Sequence, residues 1–217
     1  MDTMLAAAHL TVNTAYSPNG IFWVSGGPPV FATGASDFQT CGLAYSAELD
    51  MVVMVSNVVM NTTTEFNNTV AYSRGGFNNF TGIGVSLFDL AGNGVTYGNG
   101  LLLAAGGYDL TRQNATPPFN GNVGGRSVDG ISWTPIQIPW LGTALAAAYS
   151  AAEGLYALAG IRVATGMSNP EVFAFSRDGI SWSFGPVNGV RLFGSNPSGA
   201  YSIFPVGVVC FFDLFLI

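Results

Sequence analysis

There is no lysine in this chain. Its six basic residues are all arginines, and they are outnumbered by twelve acids to leave a net charge of −6. Arg74, Arg112, Arg126, Arg162, Arg177 and Arg191 are scattered along the sequence, so no basic stripe exists to neutralise phosphates, and nucleic acid is disfavoured as a partner. Charged residues make up 8% of the chain, against an ordinary share of about 25%. Ser, Thr, Asn and backbone must therefore do the wetting that ions usually do.

Histidine occurs once, as His9 after an apolar run, and reads as a strand-end residue rather than a base. Cysteine occurs twice, at Cys41 and Cys210, far apart and outside any C-x-x-C spacing, which removes the zinc signature. They read as two buried thiols, or as a bridge if the two positions meet in space. With one histidine and two distant cysteines, no Ser–His or Cys–His nucleophile pair is visible. Gly92-Asn93-Gly94 and Gly124-Gly125 sit between short strands rather than before a helix, so neither is a phosphate loop. The expectation is no cofactor and no metal.

No segment reads as a leader or a membrane span. Met1-Asp2-Thr3-Met4 carries an acid where a secretory signal needs positive charge, and the apolar run after it is short. The tail from Val206 to Ile217 is apolar but too short to cross a bilayer, and Asp213 interrupts it; it reads as a buried strand.

What the chain does have is glycine, 29 residues of it, with 11 prolines, as expected of many short strands joined by tight turns. It also repeats. Phe175-Ser176-Arg177-Asp178-Gly179-Ile180-Ser181-Trp182 has a close copy in Ser127-Val128-Asp129-Gly130-Ile131-Ser132-Trp133. Weaker copies stand at Ser17-Pro18-Asn19-Gly20-Ile21-Phe22-Trp23 and Ser73-Arg74-Gly75-Gly76-Phe77. Successive serines are 56, 54 and 49 residues apart. Periods of about 40–50 residues belong to β-propeller blades.

Between these turns each unit reads as four short strands, with the second apolar at every position: Met51–Val55, Leu101–Ala105 and Leu155–Ala159. A strand without alternation should be covered on both faces. The first strands read as Gly42–Ser46, Gly94–Tyr97, Ala146–Ser150 and Gly199–Ser202. Thr143 to Ala159 is rich enough in Ala and Leu to favour helix by propensity alone. Its register matches Gly42–Val55, however, and the repeat predicts strands.

In each turn the pair Asn19-Gly20, Gly75-Gly76, Asp129-Gly130 or Asp178-Gly179 predicts a two-residue type I′ hairpin, with the fourth strand starting at once. The Asp side chain should accept backbone N–H groups, glycine should supply positive φ, the serines Ser17, Ser73, Ser127 and Ser176 should tie the turn to the strand before it, and Trp23, Trp133 and Trp182 should cover the join between blades.

This pattern resembles the sialidase-type (Asp-box, BNR-like) repeats of β-propeller proteins. Here Gly follows Asp directly, a shorter variant of the usual Ser-x-Asp-x-Gly-x-x-Trp, and Asp is absent from the copies at 17–23 and 73–80. The resemblance implies an all-β propeller of about four four-stranded blades, or part of a larger ring, in a single domain spanning 1–217. The blades would comprise 1–23 plus 183–217, 24–80, 81–133 and 134–182. It also implies that the turns lie away from any active site. A sialidase proper would need three arginines, a Tyr–Glu pair and an Asp acid. Arg112, Arg162 and Arg191 are left for that role with no motif gathering them, and Asp50, Asp109 and Glu153 read as solvated turn carboxylates.

The expected function is therefore a non-catalytic binding or structural module that recognises protein or glycan. Its contacts would come from the polar inserts 57–69, 108–125 and 161–171, with Phe66, Tyr108 and Phe119 as candidates; the alternatives are a sialidase-like glycoside hydrolase or a propeller fragment. Four sequons, at Asn61, Asn67, Asn79 and Asn114, add candidate glycosylation positions should the chain enter a secretory pathway.

Overall fold

A computed structural model of the chain describes residues 4–7, 14–17, 19, 21–25, 31, 39–57, 68–77, 79–84, 86–88, 91–107, 121–162, 171–185, 209–211 and 214–216. Among them every regular element is a strand and every ladder is antiparallel. The alanine-rich stretch forms two strands, β12 (Leu141–Ser150) and β13 (Leu155–Arg162), paired over their length. Burial decides against helix here: Ala146, Ala148, Ala157 and Ala159 are all enclosed between layers, where propensity carries little weight.

Three units share one meander. The second unit of the chain is β4 (Gln39–Ser46), β5 (Met51–Asn57), β6 (Val70–Arg74) and β7 (Thr81–Gly82). The third is β8 (Ala91–Gly98), β9 (Leu101–Gly107), β10 (Gly124–Ser127) and β11 (Thr134–Ile136). The fourth is β12, β13, β14 (Glu171–Ser176) and β15 (Ser183–Gly185). The first unit contributes β1 (Met4–Ala7), β2 (Thr14–Ser17) and β3 (Val24–Ser25) as a three-stranded sheet. Single residue pairs, Asn57 with Ala91 and Gly107 with Thr143, stitch the three full units edge to edge. The fourth strands lie beyond the expected boundaries at 80, 133 and 182, so each unit runs one short strand further than the turn motif suggested.

The second strands are enclosed on both faces, and their side chains alternate between two cores. Met51, Val53 and Val55 of β5 join Leu102 and Ala104 of β9 and Val95 of β8 in a core between the second and third units. Leu101, Leu103 and Ala105 of β9 join Tyr156 and Leu158 of β13 in a core between the third and fourth. Val52 and Met54 point the other way, to Phe31, Ala71 and Phe77. All seven residues of β9 are buried. Each second strand is thus the shared wall of two compartments.

First strands stack directly, backbone to backbone. A Cβ on Gly42 would lie 3.0 Å from Gly94 Cα, and one on Gly94 3.1 Å from Ala146 Cα. A one-residue bulge recurs at the same register, leaving Cys41, Asn93 and Leu145 unopposed in β4, β8 and β12. Two further strands, β16 (Val209–Phe211) and β17 (Leu214–Leu216), pair with each other and lie against β12. No described ladder joins them to β1–β3, so the described residues do not form the expected blade of 1–23 with 183–217. The strand read at Gly199–Ser202 lies outside the described residues.

Candidate functional site

The repeated turns are wide loops rather than two-residue hairpins. Tyr16 pairs with Val24, Arg126 with Thr134 and Phe175 with Ser183, so the same seven positions, 17–23, 127–133 and 176–182, form each loop. Asp129 Oδ1 accepts the N–H groups of Ile131 (2.9 Å) and Ser132 (2.7 Å), and Asp178 Oδ1 those of Ile180 and Ser181 (both 2.8 Å). Asn19 Oδ1 does the same for Ile21 and Phe22 at 3.0 Å, which is why Asn can stand for Asp. The buried serine hydroxyl closes the ring: Ser127 Oγ donates to Asp129 Oδ1 (2.9 Å) and accepts the Gly130 N–H (2.8 Å), as Ser176 Oγ does with Asp178 (2.9 Å) and Gly179 (2.9 Å). Gly20 lies outside the described residues.

In the two fully described loops positive φ falls on one residue each, at +72° for Gly130 and +68° for Gly179. The fourth copy moves it one place earlier, to Gly75 at +65°, and there Ser73 Oγ donates to the Gly76 carbonyl oxygen (2.7 Å). The type I′ expectation is therefore corrected. An Asp-Gly pair that hairpin statistics would place in a tight turn is held open because the carboxylate already satisfies two backbone donors. The tight turn is elsewhere, at Asn99-Gly100 between β8 and β9, with φ of +48° and +74°.

The N–H donors that Asp129 and Asp178 accept hold both carboxyls down at about pKa 2; for each the largest influence is the N–H three residues on, Ser132 or Ser181. In each group it is Oδ1 that accepts these bonds and holds the loop. Trp133 packs on the core between the second and third units and donates from Nε1 to the Gly130 carbonyl oxygen (3.2 Å). Trp182 packs on the next core with its Nε1 buried and without an acceptor.

The loops also bind units to one another. A Cβ on Gly130 would fall 2.1 Å from Met51 Sδ of the unit before, and one on Gly179 2.8 Å from Leu101 Cδ2. Arg74 donates to the Asp129 carbonyl oxygen at 3.3 Å, while Arg177 donates to that of Glu153 in its own unit. At the inner strands, Asn93 Nδ2 donates to the Ala144 carbonyl oxygen (2.9 Å) of the next unit.

The end of the units that carries these loops also carries a row of tyrosines, one at the end of each first strand. Tyr45 is 51% exposed and lies 6.5 Å from the Phe77 ring. Tyr97 donates to Glu48 Oε2 at 2.7 Å, and its pKa is raised. Tyr149 covers Gly98 and meets Tyr156 at 4.7 Å. Tyr156 donates to the Gly98 carbonyl oxygen at 2.5 Å, and burial, then the neighbouring Tyr149 and Tyr97, push its hydroxyl up to about 12. The tyrosine repeat was visible in the sequence, but alternation alone did not say that it would line one end of the units beside Glu48, Asp50 and Glu153.

Most of the remaining candidates lie outside the described residues. Arg162 ends β13, at the end of the unit away from the turns, while Arg112 and Arg191 lie outside the described residues. So do Asp109, Phe66, Tyr108, Phe119, His9, Asn61, Asn67, Asn114 and most of the inserts 57–69, 108–125 and 161–171. Asn79 is exposed. Among the described residues no three His, Cys, Asp or Glu side chains gather as a metal site, and no helix is long and apolar enough to cross a membrane.

No protein-family model matches the sequence, and no curated protein matches it. Among solved structures it is similar to a chain described as "Crystal structure of Nidogen/Laminin Complex", with a TM-score of 0.52 and 10% identity over 84% of this chain. The present chain spans 61% of the length of that one. At this identity the likeness is one of fold, and the neighbour is propeller-like.

Proposed function

We propose that the chain is a propeller-type module of about four blades that binds a protein partner and performs no chemistry of its own. The observation that carries this reading is the tyrosine row at the turn-bearing end: Tyr45 half in solvent, and Tyr97 clamping Glu48. Tyrosine offers a large amphipathic surface with few torsions to freeze, and hydrogen bonding fixes the carboxylate beside it before any partner arrives. The Asp129 and Asp178 carboxylates are engaged with their own loops, which supports reading the row as a surface for contact. The propeller-like neighbour, described as part of a complex between two proteins, supports the same reading.

The test uses the full chain with laminin as the first protein probe, a glycan array beside it and a fluorogenic sialoside as the catalytic control. Saturable binding to the protein probe, weakened at least tenfold by Tyr45→Ala in a variant that stays folded, is the expected result. Turnover of the sialoside would overturn the reading, as would binding confined to glycans or indifferent to Tyr45.

A further inference from the structure

The hairpins that close the second and fourth units at the turn-bearing end have the same build and differ in what fills one corner. They span residues 47–50 and 151–154, between Ser46 and its partner Met51 in one and Ser150 and its partner Leu155 in the other. In each the serine Oγ accepts an N–H three residues on, from Leu49 or Glu153. The last hairpin residue has positive φ in both, +45° at Asp50 and +57° at Gly154. The third strand then brings an arginine alongside, directly after the serine paired with Val52 or Tyr156: Arg74 in the second unit and Arg177 in the fourth.

In the fourth unit that arginine fills the corner. Arg177 donates to the Glu153 carbonyl oxygen, and its Nη1 lies 3.9 Å from where a Cβ on Gly154 would stand. In the second unit Arg74 turns away and donates to the Asp129 carbonyl oxygen of the next unit. A carboxylate stands in the corner instead. Asp50 Oδ2 lies 3.8 Å from a Cβ built on Gly75, whose N–H donates to the Asp50 carbonyl oxygen at 3.0 Å. Asp50 is exposed, and among the described residues no arginine pairs with it. Two residues beyond Gly75, the Phe77 ring is stacked on Tyr16 at 5.9 Å and meets Tyr45 at 6.5 Å, which brings the half-exposed Tyr45 to the same corner.

We propose that this corner receives an arginine side chain of the protein partner, its guanidinium donating to the Asp50 carboxylate and stacking on Tyr45. The proposal rests on the partner-binding reading of the tyrosine row and names the chemistry recognised there. Arg177 is the internal precedent, since the fold already seats a guanidinium at the equivalent hairpin. There it meets a carbonyl dipole; at Asp50 it would meet a full negative charge and an aromatic face. A guanidinium suits both at once, being planar, weakly hydrated and always charged, whereas a lysine ammonium is a strongly hydrated point charge. The chain has no lysine, and Arg74 and Arg177 are both turned to carbonyls, so the cation comes from the partner.

Nuclear magnetic resonance titration of the full chain with N-acetyl-arginine amide tests the corner, with the lysine and citrulline amides as controls. The arginine probe should shift the Asp50, Gly75 and Phe77 amides saturably. Lysine should bind about fivefold more weakly, and uncharged citrulline should leave these amides unmoved. Asp50→Asn keeps a residue that tolerates the left-handed backbone and should weaken the arginine probe about tenfold. Tyr45→Ala should weaken it about fivefold, while Tyr45→Phe keeps the ring and the affinity. Citrulline shifts equal to those of arginine, shifts that do not saturate or that fall elsewhere, or indifference to Asp50→Asn would each overturn the proposal. The partner-binding reading fails separately. Laminin held by wild type and lost in Tyr45→Ala, but bound equally by Asp50→Asn, removes the arginine corner and leaves that reading standing. Saturable arginine binding without any saturable protein binding does the reverse.

Discussion

The side-chain amide of Asn93 donates to the carbonyl oxygen of Ala144 at 2.9 Å, joining the bulge of one first strand to the next first strand. Because Gly42, Gly94 and Ala146 bring these backbones nearly into contact, there is no room for side chains between them and this amide is the available polar tie. Asn93→Ala should therefore lower stability by about 1–2 kcal/mol, the usual cost of orphaning a buried acceptor. Asn93→Asp should cost more, since a carboxylate would face the same carbonyl. Urea denaturation of the two variants checks the order; equal losses would mean that the bond carries no weight.

Glycine substitutions separate backbone strain from crowding. Gly75→Ala meets nothing nearer than Asp50 Oδ2 at 3.8 Å, so it should cost only the left-handed conformation, about 1–2 kcal/mol. Gly130→Ala carries that strain and also collides with Met51 Sδ, which adds roughly 1–3 kcal/mol of overpacking. Met51→Ala should relieve part of the second cost only, and a double-mutant cycle with Gly130→Ala should give a coupling of about 0.5–3 kcal/mol. Additive losses would place the two residues in separate environments.

Acid should loosen the loops before it unfolds the units. The folded carboxyls of Asp129 and Asp178 titrate near 2, below the ordinary 3.8, because the loop N–H groups favour the charged form. A depressed folded value contributes stability that is complete above the unfolded value and lost as pH falls from about 4 towards 2. Asp178→Asn keeps the acceptor that Asn19 uses, so it should stay folded and show a flatter pH dependence in that window. Asp178→Ala should lose stability at every pH. Urea midpoints between pH 7 and 2 distinguish the three proteins.

Tyr156 works at the other end of the pH scale. Its hydroxyl, raised to about 12, should ionise well above the ordinary tyrosine value of 10.0 in an ultraviolet titration. Since the folded chain holds this proton more tightly than the unfolded one, stability should fall as pH rises from about 10 to 12. Tyr156→Phe removes that fall together with the bond to the Gly98 carbonyl, at about 0.5–1.5 kcal/mol near neutrality. A variant as stable as wild type would show that the bond is replaced.

The sequence made the repeat, the strand order within units and the buried second strands legible, because serine spacing and unbroken apolar runs are local signals. It misled where one dipeptide serves two geometries. Asp129-Gly130 matches a tight hairpin by composition, yet the carboxylate holds a seven-residue loop, and the fourth strand starts later than expected. Asn99-Gly100, which does form the tight turn, has no counterpart in the other units and so left no repeating trace. The bulges at Cys41, Asn93 and Leu145 share a register but no residue type, and only pairing reveals them. Of the site, the tyrosines repeat visibly; that Glu48 would reach Tyr97 of the following unit is a matter of how units stack, which no single unit encodes.

Strand β9 belongs to two cores at once, Leu102 and Ala104 on one side and Leu101, Leu103 and Ala105 on the other. It cannot open without exposing both, whereas β2 and β14 can loosen with one neighbour intact. Amide hydrogen exchange should therefore be slowest along Leu101–Gly107 and quicken outward in both directions. The array should melt from its flanks toward the middle, so that a lesion in a flanking unit erodes the rest by steps while one in β9 removes the whole at a stroke.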